Sequence, residues 1–95
     1  MGKVIWSPVA LEDIKSIHDY IAKDSADRAA LFIERLIEST DRLTEFPNSG
    51  RVIPEINKND CREIIFGSYR IMYDVISDAV RIASVVHSAR DWKAE

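Results

Sequence analysis

The chain has a single cysteine among 95 residues, so no internal disulfide can form; that fits a reducing compartment. No apolar run approaches the length that crosses a bilayer, and Val4-Ile5-Trp6 is too short for the apolar region of a secretory leader. Glycine-rich phosphate loops are absent, as are a recognisably spaced Ser/His/Asp set and a His/Cys cluster able to hold zinc. The expectation is therefore a cytoplasmic protein without metal or cofactor. A strong basic excess is missing too. The net charge is −3, which argues against a general nucleic-acid binder.

What is present fills one domain, residues 1–95, with 46% apolar residues for a core. Charge is unevenly placed. Residues 8–46 hold nine acids and five bases, whereas seven acids and seven bases follow from Arg51 on. Five of those later bases are arginines (Arg51, Arg62, Arg70, Arg81 and Arg90), the side chain suited to carboxylate and phosphate.

The first half reads as helical. Lys3 to Trp6 is a short strand, and Ser7-Pro8 is a helix start. Ala10, Ile14, Ile17 and Ile21 then form one apolar stripe, with Glu12, Asp13, Lys15, Asp19 and Lys23 off it. Asp24-Ser25 re-caps the chain for a second helix from about Ala26 to Phe46, stopped by Pro47-Asn48-Ser49-Gly50. With so short a link, the two helices form an antiparallel hairpin.

The second half reads as strands: an edge strand over Arg51 to Glu55, then 61–66, 69–76 and 80–87. With Gly67-Ser68 as a two-residue loop, Phe66 pairs with Tyr69, Ile64 with Ile71 and Arg62 with Tyr73. A turn at Asp78-Ala79 pairs Val75 with Ile82, Tyr73 with Ser84 and Ile71 with Val86. The fold class is α+β: an N-terminal strand and a helical hairpin packed on one face of a small antiparallel sheet. The other face is left open. In that register Arg70 lies across from His87, Met72 from Val85 and Asp74 from Ala83, with Glu63 diagonal to Arg70. An arginine beside a histidine suits phosphate binding or acid–base chemistry. Equally, Arg70 suits a cross-strand salt bridge to Glu63 or Asp74, with His87 as a strand-end residue. Tyr69, Tyr73 and Trp6 read as core, His18 as solvent-facing and Cys61 as a buried or edge thiol. Trp92 lies in a charged tail with no core stripe to explain it, and either a partner or its own domain can receive it.

The assembled pattern resembles the RelE/ParE superfamily of type II toxin–antitoxin toxins. The matching pieces are Trp6-Ser7-Pro8 with Ala10 and Asp13-Ile14, Ile17-His18-Asp19-Tyr20-Ile21-Ala22, and Phe46-Pro47-Asn48-Ser49-Gly50-Arg51 with Pro54-Glu55. They continue through Arg62-Glu63, Ser68-Tyr69-Arg70-Ile71-Met72-Tyr73 and Val85-Val86-His87-Ser88-Ala89-Arg90-Asp91. The resemblance implies the α+β fold and a cognate antitoxin, ParD-like or RelB-like, in a hetero-oligomer. It implies one of two activities. RelE-like members cut mRNA in the ribosomal A site; ParE-like members poison DNA gyrase. Glu63 sits where RelE-like enzymes place lysines, and no tyrosine follows His87, so the ParE-like branch is favoured. On that reading Arg70, His87, Arg90 and Trp92 face the target and none is catalytic. The alternative is a ribosome-dependent nuclease using Arg70, His87 and Arg90. A second alternative is an inactive antitoxin-binding module.

Overall fold

The structure, a computed structural model, describes residues 2–89. Strand β1 (Lys3–Trp6) leads into helix α1 (Pro8–Ala22) and helix α2 (Ala26–Glu38), followed by a 3-10 turn (Asp41–Thr44). Strands β2 (Arg51–Val52), β3 (Cys61–Phe66), β4 (Tyr69–Ile76) and β5 (Ala79–His87) complete a five-stranded sheet in the order β1-β5-β4-β3-β2. Both helix starts are capped as their sequences require. The Ser7 hydroxyl accepts the Ala10 N–H at 3.0 Å, and the Ser25 hydroxyl accepts the Arg28 N–H at 3.2 Å.

The helices pack on one face of the sheet. Ala10, Ile17, Leu36 and Leu43 meet Ile64, Ile71, Tyr73 and Ile82 in the main core. The β3–β4 hairpin pairs Phe66 with Tyr69, Ile64 with Ile71 and Arg62 with Tyr73, as the sequence predicts. Gly67 takes a positive φ of 57° in that turn, a conformation glycine adopts without steric penalty.

Four expectations need correction. The sheet is mixed, because β1 runs parallel to β5, with Trp6 beside Ile82. Helix α2 stops at Glu38 rather than Phe46. The Ser39 hydroxyl donates to Leu36 O and the Thr40 hydroxyl to Ile37 O, so side chains occupy the carbonyls of the last turn. The 3-10 turn then redirects Leu43 into the core. Strand β2 is two residues long instead of running to Glu55. Beyond it, the N–H groups of Ile56 and Asn57 both donate to Ile53 O, closing a turn in which Asn57 takes a φ of 56°.

The fourth correction concerns β4 and β5. Their two-residue turn is Ser77-Asp78, one position earlier than predicted, and the ladder begins Ile76–Ala79, Val75–Val80, Asp74–Arg81, Tyr73–Ile82. It then shifts between Tyr73 and Met72 and resumes as Met72–Ser84, Ile71–Val85, Arg70–Val86, Tyr69–His87. Ala83 is the extra residue of a β-bulge. Val85 consequently joins the main core, while Val86 joins a second cluster with Ile53 and Met72 on the other face.

The candidate target-binding face

Side chains alternate across a strand, so Arg70, between the core residues Tyr69 and Ile71, projects from the face away from the helices. That face is less open than predicted. Segment 53–57 folds across it, with Ile53 and Ile56 packing against Met72 and Val86, and Arg70 is only 7% exposed.

Among the described residues, the arginine is held in a chain of four charges. Its Nε donates to Glu63 Oε1 at 2.7 Å, and its two terminal nitrogens grip Glu55 at 2.9 and 2.7 Å. The second oxygen of Glu63 accepts from Arg51, which the β2–β3 register sets directly opposite. Two guanidinium groups thus meet two carboxylates in an alternating row. Glu63, whose side chain is fully buried, is acceptable only because both its oxygens are paired. The expected salt bridge between Arg70 and Glu63 forms; Asp74 pairs instead with Arg81 at 2.9 Å.

The Arg70 fork, helped by Glu55's own backbone N–H, holds the Glu55 carboxyl down from 4.5 to about 2. Glu55, followed by Glu63, holds Arg70 above the usual guanidinium range, against the opposing effect of burial. A depressed carboxyl contributes stability that is complete above its unfolded value and is lost as pH falls through its folded value. The expected result for Glu55→Gln is therefore a flatter stability profile between pH 4.5 and about 2 than in the parent. Urea unfolding at a series of pH values reads it directly; parallel profiles would contradict it.

His87 does not lie across from Arg70. It pairs with Tyr69, and the two rings meet edge to face at 5.2 Å on the helix side of the sheet, where Tyr69 also touches Phe32. The bulge causes this, because one extra residue in β5 sends every later side chain to the opposite face. Arg70 and His87 therefore do not converge. Arg90 and Trp92 lie outside the described residues. His18 is half-exposed and contacts Asp19 at 3.3 Å. The half-buried Cys61 packs beside the second cluster, and burial pushes its thiol up. A pocket of about 200 Å³ opens beside it, lined by Ile53, Ile56, Met72, Ala83 and Ser84.

Two residues anchor a loop through partners that the sequence does not reveal. Arg62, counted on the apolar face, donates to the carbonyls of Asn48 (3.2 Å), Gly50 (2.8 Å) and Asn59 (2.9 Å). Tyr73 is core, as expected, but its hydroxyl donates to Pro47 O at 2.7 Å and accepts the Gly50 N–H at 3.0 Å. Together they immobilise loop 47–50. The signal was the Pro47-Asn48-Ser49-Gly50 loop itself, whose carbonyls needed donors.

Two helices on one face of a five-stranded mixed sheet, with an arginine-bearing strand behind, define the class of fold as α+β. Residues 4–92 match the model described as "ParE toxin of type II toxin-antitoxin system, parDE", and the chain belongs to that family. It is 34% identical over 91 residues to "Toxin RelE2" of Caulobacter vibrioides, spanning 95% of this chain and 99% of that one. It is 35% identical over 92 residues to "Putative toxin Y4kP" of Sinorhizobium fredii, spanning 95% and 92%. Among solved structures, the fold is similar to that of "Chromosomal ParDE TA system from P. aeruginosa", with a TM-score of 0.77 and 18% identity over 92% of this chain and 96% of that one. A looser likeness, TM-score 0.55 at 18% identity over 90% and 94%, is to "YoeB-YefM complex from Staphylococcus aureus".

Proposed function

We propose that this type II toxin acts by binding and inhibiting DNA gyrase, without covalent chemistry of its own, and that a cognate antitoxin neutralises it. The observation that carries the reading is the separation of the two groups a ribonuclease would use. Arg70 is already occupied by Glu55 and Glu63, two carboxylates that repel a phosphate, while His87 sits on the other side of the sheet. A phosphate ligand and a proton-transfer group that do not face one space cannot act on one scissile bond. Membership of the ParE family supports the same branch.

On this reading His87, Arg90 and Trp92 face the target, whereas Arg70, expected beside them, stands on the other face and acts indirectly. Arg70 acts by holding segment 53–57 in place, and His87, Arg90 and Trp92 make contact. The antitoxin, ParD-like or RelB-like, covers the helical hairpin and a sheet edge in a hetero-oligomer in the cytoplasm. Exposed Val9, Leu11, Leu31 and Ile37 on the helices, and Ile5 on edge strand β1, supply the apolar surface for it.

Purified toxin is expected to block supercoiling by gyrase. His87→Ala and Trp92→Ala are expected to raise the half-inhibitory concentration about tenfold each, at unchanged thermal stability. In a translation extract the protein is expected to leave mRNA uncut. Codon-spaced cuts that disappear in Arg70→Ala and His87→Ala would overturn the proposal in favour of a ribosome-dependent nuclease. Inactivity in both assays would leave an antitoxin-binding module.

A further inference from the structure

We infer that Ser7, the cap of α1, and Asp13, in its second turn, are positioning residues that select the bulged register of β5 and so decide which face of the sheet carries His87. At the bulge, Ala83 has no residue opposite it in β4. The backbone groups around it are taken up by the helix side instead. Ser7 N–H donates to Ile82 O at 3.0 Å, the Ser7 hydroxyl donates to Ala83 O at 2.9 Å, and Asp13 Oδ2 accepts the Val85 N–H at 2.9 Å. A backbone N–H held by a carboxylate is a charge-assisted bond, stronger than an ordinary ladder bond.

The apolar pattern of β5 does not make this choice. Without the bulge, the ladder set by the Ser77-Asp78 turn would continue as Met72–Ala83 and Arg70–Val85, with His87 beyond Arg70 on the same face. Val86 would then replace Val85 under the helices, and Val85 would replace Val86 over Met72 and Ile53. One valine substitutes for another on each face, so the valines do not distinguish the two registers; the strand's own preference is limited to Ser84, which would leave Met72 and turn under the helices opposite Ile71. What differs beside Ser84 is the position of His87 and the fate of the Ala83 and Val85 backbone groups. Only the bulged register brings those groups to Ser7 and Asp13. The helix thus supplies the discrimination that the valines lack.

The inference is independent of the gyrase reading, since register is measured on the toxin alone. Cross-strand NOEs in labelled protein are the test. The parent and Asp13→Asn, whose amide oxygen still accepts the Val85 N–H, are expected to show Ile71–Val85 and Tyr69–His87 contacts. The Ser7→Ala/Asp13→Leu double variant is expected to lose them and to show Arg70–Val85 instead. A folded double variant that keeps the Ile71–Val85 contacts overturns the inference. If that variant does not fold, hydrogen exchange in the parent decides. A Val85 amide as protected as that of Ile71 supports the pin, and one that exchanges like a surface amide refutes it.

Discussion

Glu63→Ala is expected to lower the unfolding free energy by about 3–5 kcal/mol, the usual effect of removing one partner from a buried ion pair. The carboxylate has no side-chain exposure and accepts from both Arg51 and Arg70. Without it, Arg70 keeps the Glu55 fork but loses its inner partner, while remaining 7% exposed in a space too small for full hydration. Segment 53–57 is held by the same arginine, so its anchorage weakens as well. Arg51→Ala removes the other neighbour of Glu63, yet its side chain is 61% exposed, and water can replace it at a cost of about 1 kcal/mol or less. Urea unfolding of the two variants tests the contrast. Equal effects would mean that the row of charges is not organised around Glu63.

Gly50→Ala is expected to cost about 3 kcal/mol, at the upper end for overpacking. A Cβ there would stand 2.5 Å from Glu63 O and 2.7 Å from the Tyr73 hydroxyl. Neither neighbour can retreat cheaply. The first is β-strand backbone; the second is a fully buried ring whose hydroxyl bridges Gly50 N and Pro47 O. Arg62 fixes the loop from the other side through Asn48 O and Gly50 O. Thermal unfolding gives the magnitude. Tyr73→Phe in the Gly50→Ala background separates the two contacts: part of the lost stability is recovered if the hydroxyl clash dominates, and none if the Glu63 carbonyl does.

Both sites depend on residues whose chemistry is plain in the sequence and whose partners are not. The hairpin at Gly67-Ser68 and the register of β3 against β4 were legible, since a two-residue glycine turn between strands leaves one pairing that keeps Ile64 and Ile71 on one face. The helix start at Ser7-Pro8 and the α1 stripe were legible for the same kind of reason: capping and 3.6-residue periodicity are local. The early end of α2 is not legible because Ser39 and Thr40 act through hydrogen bonds to their own turn, against an apolar pattern that continues through Leu43 to Phe46, which the structure leaves exposed. The burial of Arg70 was missed because the segment that covers it is polar and turn-like in sequence, and only Ile53 and Ile56 reveal that it docks.

By itself the sequence determined the helical hairpin, the strands and the α+β class, because periodicity, caps and turn chemistry are properties of neighbouring residues; the family followed from the resemblance of its motifs, not from those patterns. The side of the sheet on which His87 stands was decided by tertiary structure alone. The doublet Val85-Val86 satisfies the core in either register, and the bonds that break the tie come from Ser7 and Asp13, more than seventy residues away in the chain.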